Sequence, residues 1–129
     1  MPPEDLLGGW PGRGSLGGRR VLVVEDDFLL AQDLLEELLR CGAEVMGPVG
    51  TVAGALALLE VGPSPYLAIL DIKLGDGMVY PVADRLRRLG VPFIFATGYD
   101  RSAVPAIYAD VVLAQKPLAL RDSFVAAGP

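Results

Sequence analysis

Residues 21–27 read Val21-Leu22-Val23-Val24-Glu25-Asp26-Asp27, four apolar residues running straight into three carboxylates. An unbroken, mostly β-branched run is how a strand buried on both faces reads, and such strands belong to parallel sheets covered by helices. The arrangement recurs at Leu67-Ala68-Ile69-Leu70, which runs into Asp71. Outward from these two stretches, short apolar runs predict strands over 21–24, 43–49, 67–70, 91–96 and 111–114. Helical periodicity fills the intervals at 28–40, 52–61, 82–89 and 118–127, with a weaker pattern over 102–108 that contains Pro105. Gly42, Gly62 and Gly90 stand where helix C-caps belong, and Pro81 suits a first helical turn.

Five strand–helix units in about 109 residues, tightly joined, predict an α/β class fold. It is a doubly wound, five-stranded parallel sheet of order 2-1-3-4-5 flanked by helices, the flavodoxin-like arrangement. Residues 1–18 differ from the rest: six glycines and three prolines predict a flexible tail ahead of one domain over 19–129.

Composition removes many chemistries. The chain has 129 residues, 52% hydrophobic and 21% charged, the balance of one globular core. A net charge of -5 argues against nucleic-acid or acidic-membrane partners, which an acidic surface repels. The absence of histidine excludes Ser-His and Cys-His nucleophiles and histidine-bound zinc. Cys41, the single cysteine, falls at the end of a leucine-rich helix pattern and reads as buried and structural. No apolar run approaches the ~20 residues of a membrane span. The opening Met-Pro-Pro-Glu-Asp lacks the basic and apolar regions of a signal peptide, so a cytoplasmic location is expected.

In a parallel sheet the carboxyl ends of all strands share one edge, and ligands bind there beside the point where strand order reverses. Glu25, Asp26 and Asp27, then Asp71, Thr97 and Lys116, each follow an apolar strand and therefore converge. Each also has an ordinary reading. Asp27 can cap the helix that follows, Thr97 can end a β-branched strand, and Lys116 can be a solvated loop residue. Taken together, three clustered carboxylates exceed the charge of one lysine and call for a cation. An all-oxygen donor set favours a hard ion, Mg²⁺ first, and Mg²⁺ so held characteristically meets phosphate. An aspartate in such a site can accept a phosphoryl group, and Asp71 is the most central.

These residues are similar to the receiver domains of two-component response regulators. The motifs are Val-Leu-Val-Val-Glu-Asp-Asp, then Leu-Asp-Ile-Lys-Leu-Gly-Asp-Gly, Phe-Ala-Thr-Gly-Tyr and Gln-Lys-Pro, in that order. The Phe95–Tyr99 string resembles the subfamily nicknamed "FAT GUY", often single-domain receivers. The resemblance implies that Glu25 and Asp26 hold Mg²⁺ with Asp71 and the backbone carbonyl of Lys73. Asp71 is the implied phosphoacceptor, Thr97 the switch hydroxyl and Lys116 the phosphate-pairing lysine. Asp76-Gly77 resembles the turn beyond the acceptor, for which an ordinary loop turn suffices. Leu113 departs from the pattern, since many receivers carry Tyr or Phe there, and Tyr99 is the candidate to take over part of that switch. Lys73 and Tyr99 fall at the two positions that tune acyl-phosphate hydrolysis, where long or bulky side chains imply slow decay. Such a protein catalyses only its own phosphorylation and dephosphorylation. The implied partners are a sensor histidine kinase or histidine phosphotransfer protein and a downstream protein target, met partly through Tyr108 and Tyr99. Two alternatives stand beside this reading: a degenerate receiver that binds proteins without phosphorylation, and a small aspartate-nucleophile phosphatase.

Overall fold

The computed structural model describes residues 16–97 and 103–115. Strand β1 (Arg20–Val24) leads into helix α1 (Phe28–Arg40), β2 (Glu44–Val49) into α2 (Val52–Glu60), and β3 (Leu67–Asp71) into a small hairpin. The hairpin arms are β4 (Lys73–Leu74) and β5 (Gly77–Met78), followed by α3 (Tyr80–Leu89), β6 (Phe93–Thr97), a 3₁₀ turn (Ala106–Tyr108) and β7 (Leu113–Gln115). The five-stranded sheet has order β2-β1-β3-β6-β7 with all pairs parallel. With the two-residue hairpin arms set aside, this is the predicted 2-1-3-4-5 order.

Alternation along the central strands sends side chains to two cores. Leu22 and Val24 of β1, with Ala68 and Leu70 of β3, face α2 and α3, where they meet Ala55, Leu59, Val82 and Leu86. Val21, Val23, Leu67 and Ile69 face the opposite side and pack on Leu34 and Leu38 of α1 and on Cys41, which is buried as expected. The apolar runs are continuous because both faces are covered.

The helix signals behave as their chemistry requires. Asp27 caps α1, its carboxylate accepting from the Leu30 N–H at 3.0 Å. Gly90 closes α3 at φ 72°, a left-handed conformation that favours glycine, and Pro81 lies in that helix's first turn.

Three expectations shift. Leu16 is buried at 2% exposure, and its N–H donates to Cys41 O at 3.0 Å, so folded structure begins inside the predicted tail. The helix expected over 102–108 is broken where it is described: Ala103 is in 3₁₀ conformation, the chain bends at Val104, and a 3₁₀ turn reopens after Pro105, whose ring disfavours helix in the residue before it. Tyr108, expected on an outward-facing surface, is buried at 3% exposure. The helix expected over 118–127 and residues 1–15 of the tail lie outside the described residues. No helix among the described residues is long and apolar enough to cross a membrane.

Candidate functional site

Register builds the site. Val24 pairs with Leu70, so the residues that follow, Glu25 and Asp71, leave the sheet side by side. Asp71 in turn pairs with Ala96, and Thr97 pairs with Gln115, which brings the ends of β6 and β7 to the same edge. Carboxylate oxygens of Glu25, Asp26 and Asp71 lie within 4.8 Å of one another. Glu25 and Asp71 are buried and Asp26 is exposed, so the cluster has a solvent-facing mouth. Beneath it a cavity of about 10 Å³ is lined by Glu25 and Asp71 together with apolar Leu30, Leu34, Ile69 and Ala96. Three carboxylates this close repel one another, and a low-dielectric floor strengthens that repulsion. A hard cation with oxygen ligands fits this donor set, and the three acids are the residues that would hold it.

Two further contacts shape the acids' loop. The Asp27 N–H donates to Glu25 Oε2 at 3.1 Å, and the Glu25 N–H donates to Val49 O at 2.9 Å. Gly50 lies so close that a Cβ there would stand 3.2 Å from Asp26 Cα. Lys73 is exposed and sits in β4, paired with Met78 across the hairpin. Tyr99 and Lys116 lie outside the described residues, as does any placement of the Thr97 side chain.

The hairpin carries a residue whose role local sequence signals missed. Asp76 accepts from the Val52 N–H at 2.7 Å and the Ala53 N–H at 3.2 Å, so it caps α2 from another loop. These two backbone donors hold its carboxyl below the usual carboxylate range. The Asp-Gly pair is therefore more than an ordinary turn, and no signal local to Asp76 announces a partner 24 residues away.

A second cluster surrounds Phe95, whose strand neighbour is Leu113, the position of the departure. Tyr108 stacks on Tyr80 at 5.0 Å and meets Phe95 edge-on at 5.7 Å. Its hydroxyl donates to Asp84 Oδ1 at 2.6 Å. Burial, then the Asp84 carboxylate, pushes the phenol up to about 12. Arg87 lies over the Tyr108 ring at 5.0 Å and pairs with Asp110 at 2.7 Å. Half-buried Leu113 pairs with Phe95 across the sheet and packs against the core that contains Phe95 and Tyr108. A larger cavity, about 300 Å³, opens at the opposite end of the sheet between Pro92, Phe93, Asp110 and Val112. Among the described residues, the one grouping of three potential metal-binding acids is at the carboxyl edge.

A doubly wound parallel sheet with an acid trio at the carboxyl ends of its two central strands is the flavodoxin-like receiver fold. Comparison with known proteins agrees. The chain is 38% identical to SdrG from Pseudomonas melonis Fr1, solved in solution in a BeF3-activated conformation, with a TM-score of 0.70 over 84% of this chain and 91% of that one. It is 26% identical to the PhyR response regulator receiver domain of Erythrobacter litoralis, with a TM-score of 0.71 over 88% and 92% of the two chains. It is also 35% identical over 81 residues to the phyllosphere-induced regulator PhyR of Methylorubrum extorquens. That match covers 61% of this chain and 30% of the relative, so it reaches less than a third of the larger protein. No family model matches the chain. The chain belongs to the response-regulator receiver family.

Proposed function

We propose that this receiver accepts a phosphoryl group on Asp71 from a phosphohistidine of a sensor kinase or phosphotransfer protein. The observation that carries this reading is the convergence of three carboxylates within 4.8 Å, with Asp71 closing the central strand. An Asp71 carboxylate oxygen forms the new P–O bond as the P–N bond to the donor imidazole breaks, and the imidazole keeps the bonding pair and is protonated. Glu25, Asp26, Asp71 and the carbonyl of Lys73 would hold Mg²⁺, which neutralises charge between the acceptor and the incoming phosphoryl oxygens. Thr97 donates a hydroxyl hydrogen bond to one phosphoryl oxygen and Lys116 pairs with another. The bulk of Lys73 and Tyr99 hinders the water that would hydrolyse the product. The signal then passes to a downstream protein target by contact, within the cytoplasm. A relative recorded in a BeF3-activated conformation supports phosphorylation as the activating event.

The test is intact-mass measurement after incubation with Mg²⁺ and a small phosphoramidate donor. One added phosphoryl group on the wild type, absent from Asp71→Asn, is the expected result. An unchanged wild-type mass, or a phosphate that survives Asp71→Asn, would overturn it. The first outcome would favour a protein-binding module that works without phosphorylation.

A further inference from the structure

Three loops meet at the carboxyl edge, and their linkage is uneven. The loop after β1 carries Glu25 and Asp26. It is bound to the end of β2 by the Glu25 N–H to Val49 O bond and to the loop that follows by the close approach of Gly50 to Asp26. The segment that leaves β3 at Asp71 carries Lys73 and folds back as the β4–β5 hairpin, closed at its base by the Val79 N–H to Ile72 O bond at 2.8 Å. Asp76, at the hairpin's tip, reaches from this third loop to the second through its two bonds to the start of α2. Gly77, at φ +143°, takes a conformation open to glycine and rarely adopted by other residues, which lets the chain reverse directly after Asp76.

We propose that Asp76 is a positioning residue for the acid site: by gripping the amino end of α2 it holds the Asp71–Lys73 hairpin in register with Glu25 and Asp26. The inference rests on the reading of those acids as a Mg²⁺ site and adds a residue that touches neither metal nor phosphoryl group. Helix α2 does not depend on Asp76 for a cap, because Thr51 Oγ1 already accepts from the Gly54 N–H at 2.9 Å. What Asp76 contributes beyond that cap is a connection between two walls of the site. A carboxylate on two otherwise unbonded first-turn N–H groups is a strong form of such a connection, since charge assistance and the helix dipole both favour it. Mg²⁺ demands near-octahedral placement of its ligands, so a hairpin freed to drift costs affinity even with every ligand present.

Binding of Mn²⁺, a hard-ligand stand-in for Mg²⁺, followed by electron paramagnetic resonance tests this without any phosphotransfer. Asp76→Ala is expected to weaken Mn²⁺ binding about tenfold, the scale on which groups that orient ligands act. Asp76→Asn, whose amide oxygen still accepts an N–H, restores part of the loss, and it carries the test if the alanine variant fails to fold. Thr51→Ala, which removes a cap from the same helix and leaves the hairpin link, stays within about twofold of wild type. Asp76 variants that bind Mn²⁺ as wild type does would overturn the positioning role alone. So would a Thr51→Ala loss equal to that of Asp76→Ala, which would trace the effect to helix stability. A wild-type protein that takes up no Mn²⁺ would overturn the metal reading itself, and the positioning role with it.

Discussion

Helices α1 and α2 both start at the acid edge, and the two starts are built differently. At α1 everything needed lies within six residues: Asp27 caps the Leu30 N–H, and its own N–H is taken up by Glu25. At α2 the local cap, Thr51 on Gly54, is joined by Asp76 arriving from beyond the next strand. The first corner is therefore specified by its own sequence, whereas the second is complete only when the sheet has brought β3 alongside. Both corners touch the acid trio, so a local and a non-local device share responsibility for one site.

The most disruptive way to break this comparison is at the contact between the two corners. Gly50→Ala would set a Cβ 3.2 Å from Asp26 Cα and 3.3 Å from Asp26 Cβ, so one loop must give. A cost of about 1–3 kcal/mol is expected from such overpacking, read as a fall in the urea midpoint at unchanged slope. A neutral substitution would show that the corners are not in firm contact. The caps sharpen the contrast at a smaller scale. Asp27→Ala should cost about 1 kcal/mol, the ordinary value of a lone N-cap. Thr51→Ala should cost less, about 0.5 kcal/mol, because Asp76 still serves the same helix end. Equal losses in thermal unfolding would mean that the remote carboxylate gives α2 no reinforcement.

The smallest effect is pH-dependent. The folded-state pKa of Asp76 is lowered, by the Val52 and Ala53 N–H groups. Its contribution is thus fully present above the unfolded value of about 3.9 and is lost as pH falls through the lower folded value. The difference in Tm between wild type and Asp76→Asn should shrink over that acidic range. A difference constant from about pH 6 to about pH 3 would sink the assignment.

The same contrast explains what could be read from the chain before its fold was seen. Helix α1 falls at the predicted 28–40 because its cap and apolar spacing are all local. The acid trio was legible because parallel register sends Glu25 and Asp71 to one edge once the strand order is known. Strand ends were less legible. Val91 and Val111 look like strand residues, yet the Val91 N–H closes α3 on Leu86 O, and the Val111 N–H closes the turn after the 3₁₀ segment on Tyr108 O. Tyr108 reads as a polar-tipped surface residue, and it is buried because Asp84, 24 positions earlier, accepts its hydroxyl. Asp76 escaped for the same reason, since its partners are near in space and remote along the chain.

The clasp at Leu16 bears on how this protein is handled. Its N–H and that of Gly18 are held by Cys41 O and Gly42 O, at the end of the sheet away from the acids. A truncation drawn at the composition change after Gly18 would discard a buried leucine, about 1.5–3 kcal/mol of apolar burial. A cut placed ahead of Leu16 spares it. A fluorophore or affinity tag attached just before Leu16 enters at the edge opposite the acids, which makes that end the natural handle for immobilising the protein with its acid edge open to a partner.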